Sequence, residues 1–258
     1  MKMEEDDLQL SASTLSALQE FMQEKDARQK RFEELKAQAE ADDEERKNSS
    51  NSTAPVTMED FEADWNVSQF WYDEETSRAL GEELVEGASE GTNVALVSAP
   101  SVFVKLKNLM KDGLVPKCNI HLLEYDNRFA LFGSEFTFYD FNEPLKLPAG
   151  LKGHFDRVLV DPPFLSEDCQ TKAALTVRWL AKPSTIGDKP DRPDRIGSRE
   201  EHPRIIVCTG ERMKDVVDKM YKKAGVRCTG FEVRHAQGLS NEFRCYANFE
   251  SARLRWTG

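Results

Sequence analysis

The sequence predicts an α/β domain with a mostly parallel sheet that is covered by helices on both faces. Short apolar runs such as 94–97 and 158–160 have the length of buried strands. Stretches with helical spacing of apolar residues alternate with these runs along the chain. Because a strand, helix, strand, helix order with compact apolar strands is typical of parallel sheets, we also expect right-handed crossovers.

The predicted elements begin near residue 73 and continue to the end of the chain. Helices are predicted over 73–88, 101–110, 167–180 and 211–224, and strands over 93–98, 119–124, 136–139, 155–160 and 204–208. Two further strand signals, 230–234 and 243–249, lie close together in the sequence. They predict an antiparallel hairpin at one edge of a seven-stranded sheet.

Two segments do not fit this alternation. Residues 1–55 form an acidic N-terminal extension, in which a short amphipathic helix near 11–22 is followed by a polar linker over 48–55. The folded domain is therefore expected over 56–258. Residues 181–203 contain four prolines, which exclude a central strand or an uninterrupted helix, and we interpret them as a surface insertion.

The net charge of −11 is distributed unevenly. Residues 1–64 hold 18 of the 46 acidic and 8 of the 35 basic side chains, a net of −10, so the remaining chain is close to neutral at −1. Overall acidity thus argues only weakly against nucleic acid, although no basic stripe with interleaved aromatic residues is present. The acidic extension either attracts a basic substrate or acts as a solubilising tail.

Composition also bears on compartment and cofactors. The five cysteines are widely spaced, without a Cys-x-x-Cys pair or a nearby histidine at metal-ligand spacing, so we expect reduced thiols and no metal. No apolar run approaches the roughly 20 residues of a membrane span, and the acidic N-terminus is unlike a signal or transit peptide. We expect a cytoplasmic, monomeric protein without a membrane partner.

The most informative motif directly follows the predicted strand 155–160. It consists of Asp161, Pro162, Pro163 and Phe164. Ligands bind outside the carboxyl ends of strands in open α/β sheets. The Asp161 carboxylate and the Pro162 carbonyl are suited to accept hydrogen bonds from an amine, two prolines restrict the backbone, and Phe164 can pack over the acceptor. The alternative is a strand-ending turn with an aromatic plug.

This tetrapeptide resembles the (Asp/Asn)-Pro-Pro-(Phe/Tyr) motif of class I amino-methyltransferases, which implies S-adenosylmethionine as the cofactor and a Rossmann-like fold. Glu124, at the end of a strand, then matches the acidic residue that binds the ribose hydroxyls. Asp140 and Phe141 resemble the pair that accepts from the adenine amino group and stacks on the adenine ring. Each acidic residue by itself also fits a solvated strand end.

The first predicted strand departs from the general pattern of these enzymes. The expected G-x-G loop is replaced by Ser98, Ala99, Pro100 and Ser101. Small residues still permit close backbone approach, and a helix N-terminus can still receive the cofactor's carboxylate. We therefore expect all four residues in the cofactor site.

Residues 98–103, 69–72, 136–140 and 241–246 together resemble one family, the lysine methyltransferases of translation elongation factor 1-alpha, formerly described as N6-adenine methyltransferases. The resemblance covers about 8–22 and 61–250. It implies that the segment with Trp71 and Tyr72 closes over the cofactor, although both fit equally well as core aromatics. It also implies a protein substrate, elongation factor 1-alpha. The alternatives are an N6-adenine methyltransferase acting on RNA or DNA and a non-catalytic binding module.

Overall fold

The computed structural model describes residues 71–183, 202–236 and 242–257. These residues belong to one compact unit, Ser68–Gly258. The predicted N-terminal helix, the linker, the domain boundary near residue 55 and most of the predicted insertion lie outside the described residues. They remain predictions.

The described chain alternates helices and strands, as the sequence predicts. The helices are α1 (Glu74–Val85), α2 (Pro100–Lys111), α3 (Glu167–Leu180) and α4 (Lys214–Tyr221). The strands are β1 (Asn93–Val97), β2 (Asn119–Glu124), β3 (Phe136–Phe138), β4 (Arg157–Val160), β5 (Arg204–Gly210), β6 (Arg227–Glu232) and β7 (Phe243–Ala247). Short 3-10 turns cover Asn127–Glu135, Ala149–Leu151, Glu211–Met213 and Lys222–Ala224.

The seven strands form a single sheet in the order β3-β2-β1-β4-β5-β7-β6. All pairs from β3 to β5 are parallel, and β7 is antiparallel to both β5 and β6. The predicted mostly parallel sheet with a terminal antiparallel hairpin is confirmed. The direction of strand addition reverses between β1 and β4, so the carboxyl ends of these two strands mark the switch point at which such sheets bind ligands.

Helices cover both faces of the sheet. Ala95 and Val97 of β1 share a core with apolar residues of α3 and α4. The alternate residues Val94 and Leu96 are equally buried and point to the opposite face, since successive strand residues alternate in direction. On α1, Gly81 lets α2 approach closely, because a Cβ at this position would lie 3.0 Å from the Leu106 side chain.

Several predicted elements have different bounds, and three of them differ by three residues at one end or both. The predicted helix 73–88 ends earlier, at Val85. The predicted strand 230–234 begins earlier, at Arg227, because Arg227 and Cys228 pair with Ala247 and Tyr246 of β7 before the register shifts. The predicted helix 211–224 is α-helical only over Lys214–Tyr221, with a 3-10 turn at each end.

Two arginines at the amino ends of β4 and β5 bind the C-terminal end of α1. Arg157 Nη1 donates to the carbonyls of Leu84 at 2.7 Å and Glu86 at 2.9 Å. Arg204 Nη1 donates to the carbonyls of Glu83 at 3.4 Å and Glu86 at 3.3 Å. The last carbonyls of a helix have no partner within the helix, so these arginines supply donors to carbonyls at the end of α1.

Candidate active site

The candidate site lies at the carboxyl ends of β1 and β4. The Ser98 amide donates to the Leu123 carbonyl at 2.8 Å, and the Asp161 amide donates to the Val97 carbonyl at 3.0 Å. These bonds extend the parallel ladder beyond the last strand residues. The two predicted segments are therefore neighbours in space, although 63 positions separate them in the chain.

The loop after β1 is strained at Ser98. Its φ of 53° falls in the left-handed region that side-chain-bearing residues rarely adopt. Ala99 then forms the N-cap of α2 without a side-chain hydrogen bond, and Pro100 occupies the first turn. The buried Ser101 follows. This arrangement leaves the N-terminal end of a 12-residue helix without a capping side chain, which favours a negatively charged ligand group.

The Asp161 side chain is only partly exposed. Its carboxyl has a pKa raised to about 7, mainly because burial disfavours the charged form; the Tyr72 hydroxyl opposes this shift and the charge of Glu124 adds to it. Asp161 is thus poised to change protonation near neutral pH. This is the behaviour expected of a functional carboxylate.

Residues of α3 and β5 contact the C-terminal end of the motif. The Phe164 carbonyl accepts from Gln170 Nε2 at 3.2 Å, and the same nitrogen donates to Thr209 Oγ1 at 3.0 Å. Leu165 packs directly against Gly210, where a Cβ would lie only 2.8 Å from the Leu165 side chain. These contacts fix the position of the loop that carries Asp161.

The three remaining motif residues differ in exposure. Pro162 is buried, Pro163 is exposed, and Phe164 is 56% exposed. The Phe164 ring lies 5.4 Å from the ring of Phe141, and the Lys172 ammonium lies 5.6 Å from the Phe141 ring centre. The exposed Phe164 ring, beside the half-buried Phe141 ring and the partly exposed Asp161 carboxyl, can contact the alkyl chain of an incoming side chain.

Glu124 ends β2 and is almost fully buried. Its Oε1 accepts from the backbone amides of Tyr125 at 2.8 Å and Asp126 at 3.2 Å. Burial raises the pKa of the Glu124 carboxyl to about 7, and the two backbone hydrogen bonds oppose the shift. Glu124 lies at the strand end and its carboxylate is held in a fixed orientation. Its assignment to the ribose hydroxyls stays a prediction.

Asp140 and Phe141 follow β3, on the far side of β2 from β1. The Tyr139 amide donates to the Glu124 carbonyl at 2.9 Å, which places the pair beside Glu124. Asp140 Oδ1 accepts from the Asn142 amide at 2.8 Å. The Asp140 carboxylate therefore caps the turn that follows β3.

Trp71 and Tyr72 lie in an extended segment next to the start of the hairpin connection. The Ala236 amide donates to the Trp71 carbonyl at 3.0 Å, and Tyr72 forms an antiparallel bridge with His235. The Trp71 ring packs against Phe129, which follows β2, at 6.3 Å. Tyr72 is 4% exposed and its hydroxyl lies beside Asp161. The two side chains thus reach different parts of the site.

A second charged group borders the motif. Arg244 of β7 pairs with Glu211 and Glu242, each at 3.1 Å, and Glu242 immediately precedes β7. Charged residues at this position fit either an acceptor pocket or a salt-bridged strand end. The structure shows the salt bridges. Asn241 lies outside the described residues.

Sequence reasoning missed Gln170, Thr209 and the contact between Tyr72 and Asp161. Of these, Gln170 could have been noticed in the sequence, because it is a polar residue on the apolar face of α3. The structure shows that it is almost fully buried. Such a residue needs a hydrogen-bond partner. Its partner on β5 is 39 positions away in the sequence, which no local pattern indicates.

The described part of the chain contains neither a metal-binding cluster nor a membrane-spanning helix. No group of three His, Cys, Asp or Glu side chains in these residues is arranged to hold a metal ion. No helix within the same ranges has the length and apolar character needed to cross a membrane. The described cysteines are all free thiols, and Cys169, Cys208 and Cys245 are buried.

The family model described as "Probable N6-adenine methyltransferase" matches residues 63–251. This chain belongs to that family. The match includes every described element and all predicted site residues. The predicted family resemblance is confirmed.

Curated relatives in this family are similar to the chain over nearly its whole length. A Saccharomyces cerevisiae protein named protein-lysine N-methyltransferase EFM5 is 42% identical over 96% of this chain and 94% of its own. Human EEF1A lysine methyltransferase 1 is 37% identical over 94% of this chain and 92% of its own. The Danio rerio protein of the same name is 42% identical over 73% of this chain and 99% of its own.

Proposed function

We propose that this chain is a protein-lysine N-methyltransferase that transfers a methyl group from S-adenosylmethionine to a lysine side chain of translation elongation factor 1-alpha. The observation that carries the proposal is the position of Asp161 in the Asp-Pro-Pro-Phe motif, at the carboxyl end of β4 and next to the switch point of the sheet. The names of the relatives support the substrate class and the target. We place the reaction in the cytoplasm and the activity in residues 56–258.

The residues at the ends of β1, β2 and β3 suit S-adenosylmethionine. We assign Glu124 to the ribose hydroxyls, because a carboxylate accepts from both hydroxyls of a diol. Ser98 to Ser101 and the N-terminal end of α2 suit the carboxylate of the amino-acid portion. Asp140 and Phe141 suit the adenine. When bound, the cofactor supplies a methyl group on a positively charged sulfur.

The acceptor lysine must be neutral before its nitrogen can be methylated. An ordinary lysine has a pKa near 10.4, so losing the proton at pH 7 costs roughly 4–5 kcal/mol. Burial of the amine beside Phe164 lowers its pKa, whereas an ionised Asp161 raises it. We therefore assign Asp161 and the Pro162 carbonyl mainly to orienting the amine, with its lone pair directed at the methyl group and its proton released to water.

The alternative substrate is the N6 amino group of adenine in RNA or DNA. The motif by itself does not separate a planar from a tetrahedral amine, and the family description mentions adenine. Relatives up to 42% identical over most of the chain are instead named for protein-lysine methylation, which favours the protein substrate.

The test is transfer of labelled methyl groups from S-adenosylmethionine to purified elongation factor 1-alpha, with RNA and DNA as parallel substrates. We expect methyl-lysine in the protein and a loss of at least about 100-fold in kcat for Asp161→Ala, because an orienting group has been removed. Asp168→Ala is the matched control, since Asp168 is an exposed residue of α3 that pairs with Lys172. Label in nucleic acid but not in protein would replace the proposal with the adenine alternative.

A further inference from the structure

The Tyr72 hydroxyl is buried without a hydrogen-bond partner. Tyr72 is 4% exposed, and no group in the described ranges lies within ordinary hydrogen-bond geometry of its oxygen. An unpaired buried hydroxyl costs roughly 1–3 kcal/mol, so native structures contain few of them and each calls for a reason. The groups beside this hydroxyl are the Asp161 carboxyl and the Cys208 thiol.

The backbone on both sides of Tyr72 is fixed. The Asp73 amide donates to the Arg234 carbonyl at 3.0 Å, and Tyr72 itself bridges to His235. Asp73 also caps α1 by accepting from the Thr76 amide at 2.7 Å. The segment therefore cannot move far without breaking both the bridge and the cap.

The ring of Tyr72 is fixed as well. It packs 5.1 Å from the ring of His235, which packs 4.5 Å from the ring of Phe243. The hydroxyl at the far end of this fixed ring lies beside Asp161 and Cys208. Of its two neighbours, the thiol of Cys208 is a weak acceptor, whereas a carboxylate is a strong one.

We propose that Tyr72 is a positioning residue for Asp161, whose hydroxyl donates to one carboxylate oxygen and leaves the other oxygen to accept from the substrate amine. A small rotation of the carboxylate completes the hydrogen bond. This inference rests on the proposed function, because it assigns Tyr72 to the orientation of the acceptor amine through Asp161. It differs from the prediction that Tyr72 closes over the cofactor.

The same contact supports the ionised form of Asp161. Among the described residues, four titratable groups interact electrostatically with Asp161. They are Tyr72 before α1, Glu124 at the end of β2, Cys169 on α3 and Cys208 on β5. Of these, Tyr72 is the group that lowers the pKa of Asp161, whereas Glu124 raises it. Without the tyrosine hydroxyl, the pKa of Asp161 is therefore higher, and its carboxyl group stays protonated up to a higher pH.

The experiment compares Tyr72→Phe with Tyr221→Phe in the full chain. Tyr221 is 3% exposed and its hydroxyl also has no partner in the described structure, but it lies on α4 within the core and not beside the motif. We expect Tyr72→Phe to lower kcat about tenfold at pH 7, as loss of a hydrogen bond to a charged group implies. KM for both substrates should change less than about threefold, and the acidic limb of the pH profile should move to higher pH. Tyr221→Phe should leave kcat and the profile unchanged.

A double-mutant cycle with Asp161→Asn identifies the route of the effect. If Tyr72 acts through Asp161, Tyr72→Phe has no further effect on kcat or on the pH profile in the Asp161→Asn background. An unchanged kcat for Tyr72→Phe, or a loss confined to cofactor affinity, overturns the inference. Full activity of Asp161→Ala would instead overturn the proposed function itself, so the two failures are distinguishable.

Discussion

At the amino ends of the central strands, charged side chains have hydrogen-bond and salt-bridge partners. At the carboxyl ends of the same strands, partly or fully buried carboxyl groups and a strained backbone reduce the stability of the fold. Asp156, next to β4, accepts from the Asn93 amide at 2.9 Å and pairs with Lys182 at 2.6 Å. Across the sheet, Asp161 and Glu124 have raised pKa values and Ser98 has a left-handed backbone. The amino ends of the strands, called the amino edge below, therefore stabilise the fold. The carboxyl ends, called the carboxyl edge, hold destabilising groups of the kind found at functional sites.

The largest effect is expected at the amino edge, from Arg204→Met. Arg204 is 6% exposed, donates to two carbonyls at the end of α1 and lies 4.8 Å from the ring of Phe249. Its loss removes a buried arginine that donates to the Glu83 carbonyl, whereas the Glu86 carbonyl keeps Arg157 as a donor. We expect the free energy of unfolding to fall by about 2–4 kcal/mol. Urea denaturation measures this change.

The same variant separates the two edges. Arg78→Met removes an exposed arginine of α1 and should leave stability unchanged. At temperatures at which the protein is folded, Arg204→Met should retain the kcat of the unmodified chain. A reduced kcat in the folded variant would mean that the amino edge also serves catalysis.

An effect of the opposite sign, a gain in the free energy of unfolding, is expected at the carboxyl edge from Glu124→Gln. Burial raises the pKa of this carboxyl from an ordinary value near 4.5 to about 7 in the folded chain. The folded state therefore binds the proton more tightly, and the unmodified chain loses stability as pH rises from about 4.5 to about 7. Each pKa unit corresponds to about 1.4 kcal/mol, so a shift from 4.5 to about 7 corresponds to a loss of about 3.5 kcal/mol.

Glutamine keeps the oxygen that accepts from the Tyr125 and Asp126 amides but does not titrate. The stability difference between Glu124→Gln and the unmodified chain should grow between pH 4.5 and 7 and stay constant above. Thermal unfolding of both proteins across this range measures it. A constant difference at all pH values would show that Glu124 is an ordinary acidic residue in the folded state.

The pH dependence of the reaction should follow the ionisation of Asp161. The ionised form of Asp161 is the acceptor, so kcat/KM for the cofactor should rise with pH through about 7, the pKa of this carboxyl. Asp161→Asn does not titrate. The ratio of kcat/KM between the unmodified chain and Asp161→Asn should therefore increase about tenfold from pH 6 to pH 8.

Using the ratio removes the pH dependence that the substrate lysine contributes to both enzymes. Asp156→Asn, at the other edge, is the control and should leave the shape of the profile unchanged. If the ratio is flat, the protonation of Asp161 has no influence on the reaction over this range.

The smallest effect is expected for Ser98→Gly. Glycine adopts the φ of 53° without a steric penalty, so the variant should gain up to about 1 kcal/mol in the free energy of unfolding. Ser101→Gly, in the first turn of α2, is the control and should lose stability. Chemical denaturation of the two variants compares the signs. A loss for Ser98→Gly would show that the serine side chain compensates for its backbone strain.

Most strands could be predicted within one or two residues, because central strands are continuous apolar runs that end at polar residues. β6 was displaced by three residues since its burial is irregular and its N-terminal half pairs through Arg227 and Cys228. The turn over Asn127–Glu135 was not predicted. It contains Gly133 with a φ of 56°. Its path also depends on long-range contacts, because Phe129 packs against Trp71 and Phe132 packs against Phe103.

The sequence alone determined the kind of fold and the residue types at each strand end, because strand periodicity and motif chemistry are local properties. The tertiary structure decided which of these residues meet. It placed Asp161 beside Ser98 and Glu124, anchored the motif through Gln170, and directed the Tyr72 hydroxyl at Asp161. These contacts join residues far apart in the chain. Their burial, which sets the pKa values of the site, exists only once the strands and helices have packed.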